Sequence, residues 1–272
     1  MKSRQGKMIW LMVLFISLIG SEASADWETG IKSGFDSNVN RSVSEARSDA
    51  YLKGYALYTR APEEKDSLNW TLALLLEGVG YVRTSDLNYG SLTLEPGIDL
   101  YRGPLWTISV SPLLQLKGMS DSDQAAVAFG GKVGLRQQWQ SDLYTGQYYI
   151  YRDSRAREDV YSFKEQALGV YGGVAWAKSL LLELVYELSA GDSFTSVGSM
   201  TTIPAGRGRR YSTTFRSDVV SETVSGHTFG VNLSVGLTSS LSLLLEYYLK
   251  YQQADSGSYS AHEGALGLGY RF

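Results

Sequence analysis

The chain has only two histidines, and each follows a serine at a spacing of two residues. In an extended segment Ser225 and His227 point to the same side, as do Ser260 and His262. A histidine that contacts a serine hydroxyl can activate it for ester hydrolysis. No acidic residue clearly orients either imidazole, and serine is frequent in the chain. A lipid hydrolase is therefore one interpretation, and chance spacing is the other.

Aspartates are the second group with chemical potential. Six of them fall in polar segments: Asp86, Asp121, Asp123, Asp153, Asp159 and Asp192. Clustered near a histidine, they could support a protease, but aspartate is also a common turn former. With two histidines and no cysteine, the sequence offers no metal-ligand set. We predict neither a metal nor another cofactor.

The elements that carry these residues alternate with a period of two, which is the side-chain period of a β-strand. The clearest segments are 68–76, 106–117, 126–136, 180–188, 229–237, 241–251 and 266–272, and weaker ones are 27–35, 50–60, 89–101, 143–151 and 165–176. They predict about twelve strands of roughly ten residues, the length that a tilted membrane strand needs.

The connections between these strands also alternate in length. Short joins are expected near 61–66, 102–104, 140–142, 177–178 and 238–240, and longer polar ones near 36–49, 83–88, 118–124, 152–164, 190–226 and 252–261. Outer-membrane barrels have short periplasmic turns and longer external loops. The pattern favours an all-β fold, a transmembrane antiparallel up-and-down β-barrel.

Tryptophans support this fold. Five of them lie where strands meet the inferred periplasmic side: Trp27, Trp70, Trp106, Trp139 and Trp176. Aromatic residues at one level are typical of the membrane–water interface. We expect these five to form an interfacial belt.

Residues 1–25 resemble a secretory signal, with basic residues, an apolar run and the small-residue motif Ala23-Ser24-Ala25. Cleavage near Ala25 would leave residues 26–272 as one barrel domain. The net charge is −3, which gives no indication of a nucleic-acid partner.

The polar face of the predicted strands carries an uneven set of charges. The expected lumen-lining residues are Glu77, Glu95, Asp99, Lys117, Lys132, Arg136, Glu183, Glu187, Glu246 and Lys250, with Arg152 at the rim. Acidic and basic arcs on opposite walls would tune a pore for charged solutes. Alternatively these charges pair, Glu246 with Lys250 for example, and plug a narrow lumen.

A compact basic cluster, Arg207, Arg209 and Arg210, lies in the longest connection. Outside the cell, guanidinium groups could bind lipopolysaccharide phosphates. The same segment could instead fold inward as a constriction, or it could extend two strands above the membrane.

The last strand resembles the C-terminal signature of Gram-negative outer-membrane barrels. Leu266, Leu268 and Tyr270 alternate up to the terminal aromatic residue Phe272. The resemblance implies that the barrel-assembly machinery reads Leu268, Tyr270 and Phe272 as an assembly signal. It also implies the outer membrane as the location, with outer-membrane lipid and lipopolysaccharide as partners.

A second resemblance lies in Asp36-Ser37-Asn38-Val39-Asn40. This segment is similar to the first-strand pattern of surface lipoprotein assembly modifiers and of exopolysaccharide-export barrels. Those families imply translocation, with an export or periplasmic partner of unknown identity.

We therefore expect a channel or translocation pore for a small solute or an exported polymer, and no enzyme activity. The alternatives are a non-conducting structural or adhesive barrel, an outer-membrane lipid hydrolase, or a protease of the omptin type.

Overall fold

The computed structural model describes residues 25–60, 67–176, 179–198 and 208–272. Thirteen strands follow one another: β1 (Ala25–Asp36), β2 (Asp49–Arg60), β3 (Leu68–Tyr81), β4 (Tyr89–Arg102), β5 (Trp106–Met119), β6 (Ala126–Gln138), β7 (Leu143–Ala156), β8 (Phe163–Trp176), β9 (Leu180–Gly198), β10 (Arg209–Ser212), β11 (Ser217–Gly236), β12 (Leu241–Ala254) and β13 (Gly257–Arg271). Three single-turn 3₁₀ helices lie between strands, at Ser85–Leu87, Ser122–Gln124 and Asp159–Tyr161.

The sheet closes on itself. Consecutive strands pair antiparallel except β9 and β10, β1 pairs with β13, and β11 pairs with β9, β10 and β12. Strand β10 is a short strand beside the upper end of β11, so the wall contains twelve strands. Closure removes the sheet edges, which is what a membrane-spanning sheet requires. The predicted barrel of about twelve strands is confirmed.

The two faces of the wall differ as the alternation predicts. Large apolar side chains such as Leu76, Val110 and Leu168 are exposed on the outward face. Within the described ranges, no helix has the length and apolar character needed to cross a bilayer. An apolar belt on the outside of a closed sheet is the surface that lipid chains cover.

Tyrosines pack against glycines on the inward face. An added Cβ at Gly146, Gly169 or Gly173 would collide with a tyrosine ring of a neighbouring strand. The rings therefore lie flat along the wall instead of filling the centre. This packing keeps the interior wider than tyrosines alone would allow.

The two ends of the barrel are built differently. One end has short turns, including one in which Gly103 adopts the left-handed conformation that glycine tolerates. At the other end several strands continue as long hairpins, so most of the predicted loop 190–226 is strand. The long connection expected at 252–261 was wrong, because β12 and β13 stay hydrogen-bonded up to a tight turn at Asp255 and Ser256.

Three sequence-based predictions fall outside the residues that the structure describes. They are the signal segment up to residue 24, the short joins at 61–66 and 177–178, and the placement of Arg207.

Candidate functional site

Ion pairs inside the barrel join different strands. Lys32 on β1 lies 2.5 Å from Glu246 on β12 and crosses Gly267 of the intervening strand β13. Two further pairs are Lys53 with Glu77 at 2.5 Å and Lys250 with Glu263 at 2.7 Å.

The expected pairing of Glu246 with Lys250 was wrong. Residues four apart on one strand are about 13 Å apart along it, whereas paired residues are about 5 Å apart on adjacent strands and about 10 Å apart when one strand lies between them. Each of the two side chains therefore finds its partner on another strand.

Two layers of the wall repeat one arrangement across β6, β7, β8 and β9. We call the end with the short turns the lower end. In the lower layer Arg136 lies 4.0 Å from the ring centroid of Tyr144, and the Tyr144 hydroxyl donates to Glu183 at 2.9 Å. In the upper layer Lys132 lies 5.1 Å from the ring centroid of Tyr148, whose hydroxyl donates to Glu187 at 2.7 Å.

A glycine of β8 makes each layer possible. Gly173 pairs with Glu183 and lies beneath Tyr144, and Gly169 pairs with Glu187 and lies beneath Tyr148. Because glycine has no side chain, each tyrosine can reach across β8 to the carboxylate. Sequence reasoning missed these tyrosines, although inward glycines opposite inward tyrosines were a readable signal.

Three inward cations contact aromatic rings instead of carboxylates. Lys132, Arg136 and Lys117, the last 4.2 Å from the ring centroid of Tyr89, have no carboxylate within 4.0 Å among the residues whose placement is described. Lys132 and Arg136 are also solvent-exposed although they point inward. The barrel is therefore open to water at the level of these two side chains.

The remaining predicted lumen residues also lie on the inward face. Glu95 and Asp99 lie on β4, where Asp99 accepts a hydrogen bond of 2.7 Å from Ser109. Arg152 at the rim lies 4.0 Å from Glu165.

The upper half of the interior, nearer the long hairpins, holds a cavity of about 510 Å³. Arg41, a residue missed in the sequence, faces this cavity, donates to the Ser193 hydroxyl at 2.8 Å and stacks 4.7 Å from the Phe194 ring. Arg41 adopts a left-handed backbone conformation in the first loop. Its position depends on loop geometry, and sequence periodicity carries no information about that.

An apolar cluster, the mouth cluster, covers this end of the barrel. Its buried members come from three connections and the top of β11: Leu87, Val160, Tyr161, Phe215 and Val219. Burial raises the pKa of the Tyr161 hydroxyl. The cluster packs these three connections against β11 at this end of the barrel.

Polar contacts hold the β10 hairpin against the opposite loops. Arg210 lies 2.7 Å from Asp123 and also contacts Glu158, while Thr214 donates to Asp121 at 2.8 Å. The hydrogen bond to Glu158 raises the pKa of Arg210. We call these contacts the mouth latch.

The latch changes the interpretation of the basic cluster. Arg210 is engaged by two carboxylates, and Arg209 binds Asp218 of its own hairpin. Of the three interpretations of this loop, the geometry combines two, because β9 and β11 extend above the wall and the hairpin tip folds inward.

The serine–histidine pairs do not form hydrolytic contacts. His227 Nδ1 hydrogen-bonds the Tyr186 hydroxyl at 2.9 Å, and His262 Nδ1 hydrogen-bonds the Tyr247 hydroxyl at 2.8 Å. Both imidazoles face outward among aromatic side chains. Among the described contacts, neither histidine hydrogen-bonds the serine two residues before it.

The other predicted site residues lie as follows. The five tryptophans Trp27, Trp70, Trp106, Trp139 and Trp176 are exposed at one end of the wall. Asp121 and Asp123 serve the latch, and Leu268, Tyr270 and Phe272 are exposed on the outward side at the end of the chain. No group of three or more potential metal ligands occurs within the described ranges.

Comparison with known proteins identifies the architecture. An outer-membrane channel from Pseudomonas putida F1 matches with a TM-score of 0.61 and 10% identity, over 93% of this chain and 97% of the other. The NanC porin matches with a TM-score of 0.50 and 11% identity, over 89% and 98% of the two chains. The fold is that of outer-membrane β-barrels.

No known family profile matches the sequence, and a search of curated proteins finds no significant relative. The resemblance to lipoprotein assembly modifiers and export barrels is not confirmed and stays a prediction.

Proposed function

We propose that this protein is an outer-membrane channel for small charged solutes, with a cationic lower lumen and a mouth that the β10 hairpin gates. The proposal places it in the outer membrane of a Gram-negative cell, after cleavage near Ala25 and insertion by the barrel-assembly machinery.

The observation that carries the proposal is the exposure of Lys132 and Arg136 on the inward face. A dry plug would have to compensate such charges with carboxylates, because an unpaired buried charge is expensive. Here the two cations have aromatic partners and solvent. Water in the lumen explains this arrangement better than a packed interior does.

The fixed charges also suggest selectivity. Glu183 and Glu187 are each held by a tyrosine hydroxyl, while the two cations stay accessible to a passing solute. Rings and arcs of accessible charge bias permeation toward the opposite sign. The channel should therefore favour anions and the carboxylate end of zwitterions.

Planar-bilayer recording tests the predicted anion selectivity. We expect Lys132→Glu combined with Arg136→Glu to shift the reversal potential in a salt gradient toward cations. The matched control is Arg102→Glu, which reverses an exposed arginine on the outward face, since Arg102 pairs with the outward-facing Trp106. Normal conductance with unchanged selectivity in the double variant would contradict the lumen assignment.

A second candidate function is a non-conducting structural or adhesive barrel. The mouth cluster favours it, because buried apolar side chains from several connections pack together at that end of the barrel. A purified barrel that inserts but shows no conductance, even with the latch removed, would support this alternative.

A further inference from the structure

The outward face carries a cationic group near the external end of β7 and β8. Asp153 points outward but is largely covered, with Arg155 at 3.6 Å and Lys164 at 3.8 Å, and the side chains of these two cations are 71% and 64% exposed. Arg157 is also exposed and lies 3.4 Å from the Ser122 hydroxyl. Three cations and one carboxylate leave two positive charges on this surface.

Strand register places this group at the end of an apolar row. Leu76, Leu92, Leu116 and Val127 pair with one another in turn across β3, β4, β5 and β6, and Val127 pairs with Arg155. At a strand spacing of about 4.8 Å, the four residues cover about 14 Å of the wall.

A groove runs beside the apolar row. Its floor is formed by Gly90, Gly118 and Ala125, and the Ala125 carbonyl accepts a backbone hydrogen bond from Arg157 at 2.9 Å. The groove has a volume of about 760 Å³, and both Arg155 and Arg157 line it. No side chain rises from its glycines, so the floor is the bare backbone of the sheet.

This surface combines an apolar groove with positive charge at one end, which matches the two parts of an anionic amphiphile. An acyl chain can lie in the groove against the leucines, while an anionic headgroup meets the two guanidinium groups at its end. Guanidinium binds phosphate through paired hydrogen bonds, and Arg155 and Arg157 are about 7 Å apart along the chain. Arg155 also stacks 5.0 Å from the ring of Phe129, which orients it along the wall.

We propose that this groove and its arginines bind a phosphorylated glycolipid of the lipid A class, with an acyl chain in the groove and a phosphate on Arg155 and Arg157. The inference rests on the proposed outer-membrane location. It moves the expected lipopolysaccharide contact from the basic cluster of the β10 hairpin to the outer wall, because Arg209 and Arg210 are already engaged by carboxylates.

Native mass spectrometry of the full chain in detergent tests the headgroup contact. With added bisphosphorylated lipid A, we expect Arg155→Gln combined with Arg157→Gln to weaken binding about tenfold. Arg102→Gln, an exposed outward arginine at the opposite end of the barrel, should bind like the unchanged protein. Equal binding by the double variant and the unchanged protein would overturn the proposal.

Two further measurements separate the parts of the site. Gly118→Leu should weaken lipid A binding by filling the groove while leaving both arginines in place, and equal binding by this variant would overturn the acyl-chain assignment. Equal binding of dephosphorylated lipid A, or of phosphatidylglycerol, would overturn the assignment to a glycolipid phosphate. Dimers that form through this face and exclude the lipid would overturn the proposed lipid site as well.

The channel proposal is tested separately on the same samples. Loss of lipid binding in the arginine double variant with unchanged conductance supports the lipid site. Selective lipid binding by a barrel that never conducts would remove the channel function but keep the lipid site.

Discussion

At the scale of residues, the interior depends on side chains that reach across a glycine to a partner two strands away. Lys32 reaches Glu246 over Gly267, and Tyr148 reaches Glu187 over Gly169. A side chain on the intervening strand would block the contact. The inward glycines are therefore part of the polar network, although they carry no polar group themselves.

The pair of Lys32 and Glu246 gives a direct test of this network. Glu246→Gln leaves the Lys32 side chain, which is 12% exposed, without its carboxylate. We expect the free energy of unfolding to fall by about 2 kcal/mol, less than for a fully buried pair because the Glu246 side chain is 30% exposed. Urea unfolding in detergent, followed by the mobility shift of the folded barrel, measures this.

The matched control removes both charges. Lys32→Met combined with Glu246→Met should recover most of the lost stability, because no isolated charge remains. If the double variant were as unstable as the single one, packing and not charge would account for the effect.

At the scale of elements, the β9–β11 hairpin has two roles. Its lower part belongs to the wall, where β9 and β11 pair directly. Strand β10 and the turn that joins it to β11 lie at the mouth, where Phe215 packs with Leu87 and Tyr161. The mouth cluster therefore unites connections that are far apart in the sequence.

Removing the mouth latch should open the proposed channel. Arg210→Ala abolishes the contacts to Asp123 and Glu158, so we expect a higher single-channel conductance or a larger open fraction in planar bilayers. Arg209→Ala is the control, because Arg209 binds only within its own hairpin, to Asp218, among the contacts described. Identical currents for both variants and the unchanged protein would contradict a gating role.

At the scale of the whole molecule, closure between the first and last strands defines the architecture. Strand β1 pairs with β13 over nine residue pairs, from Glu28 with Arg271 to Asp36 with Glu263. A closed sheet leaves no unpaired backbone in the hydrocarbon layer. The lumen, the lipid-facing groove and the mouth all follow from this closure.

Cysteine cross-linking tests the closure and its register. The chain has no cysteine of its own. Ser33→Cys with Leu266→Cys places two thiols at paired positions on the outward face, so oxidation should join β1 to β13. A changed mobility of the denatured chain on a non-reducing gel reports the cross-link.

The control shifts one partner by two residues. Ser33→Cys with Leu268→Cys should cross-link poorly, because that diagonal is about 7–8 Å. Efficient cross-linking of the control pair would contradict the register. Failure of the paired positions to cross-link would contradict it as well.

The sequence by itself determined the strands of the wall, their approximate number and their two faces, but it showed neither β10 nor the extension of β9 and β11 beyond the wall. Alternation is a local property with a period of two, so Leu68–Leu76 or Leu266–Phe272 can be read without knowledge of any neighbour. The same reading placed Lys132, Arg136 and the other predicted lumen charges on the inward face. Tight turns such as that at Asp255 were missed because polar residues do not show where a hairpin ends.

Only the tertiary structure decided which residues meet. Lys32 and Glu246 are 214 residues apart in the sequence, and Arg210 and Asp123 are 87 residues apart. Their distance depends on the stagger between strands and on the curvature of the closed wall, which no local pattern encodes. For the same physical reason, the mouth cluster and the row of leucines that ends at Arg155 became visible only once the strands were in register.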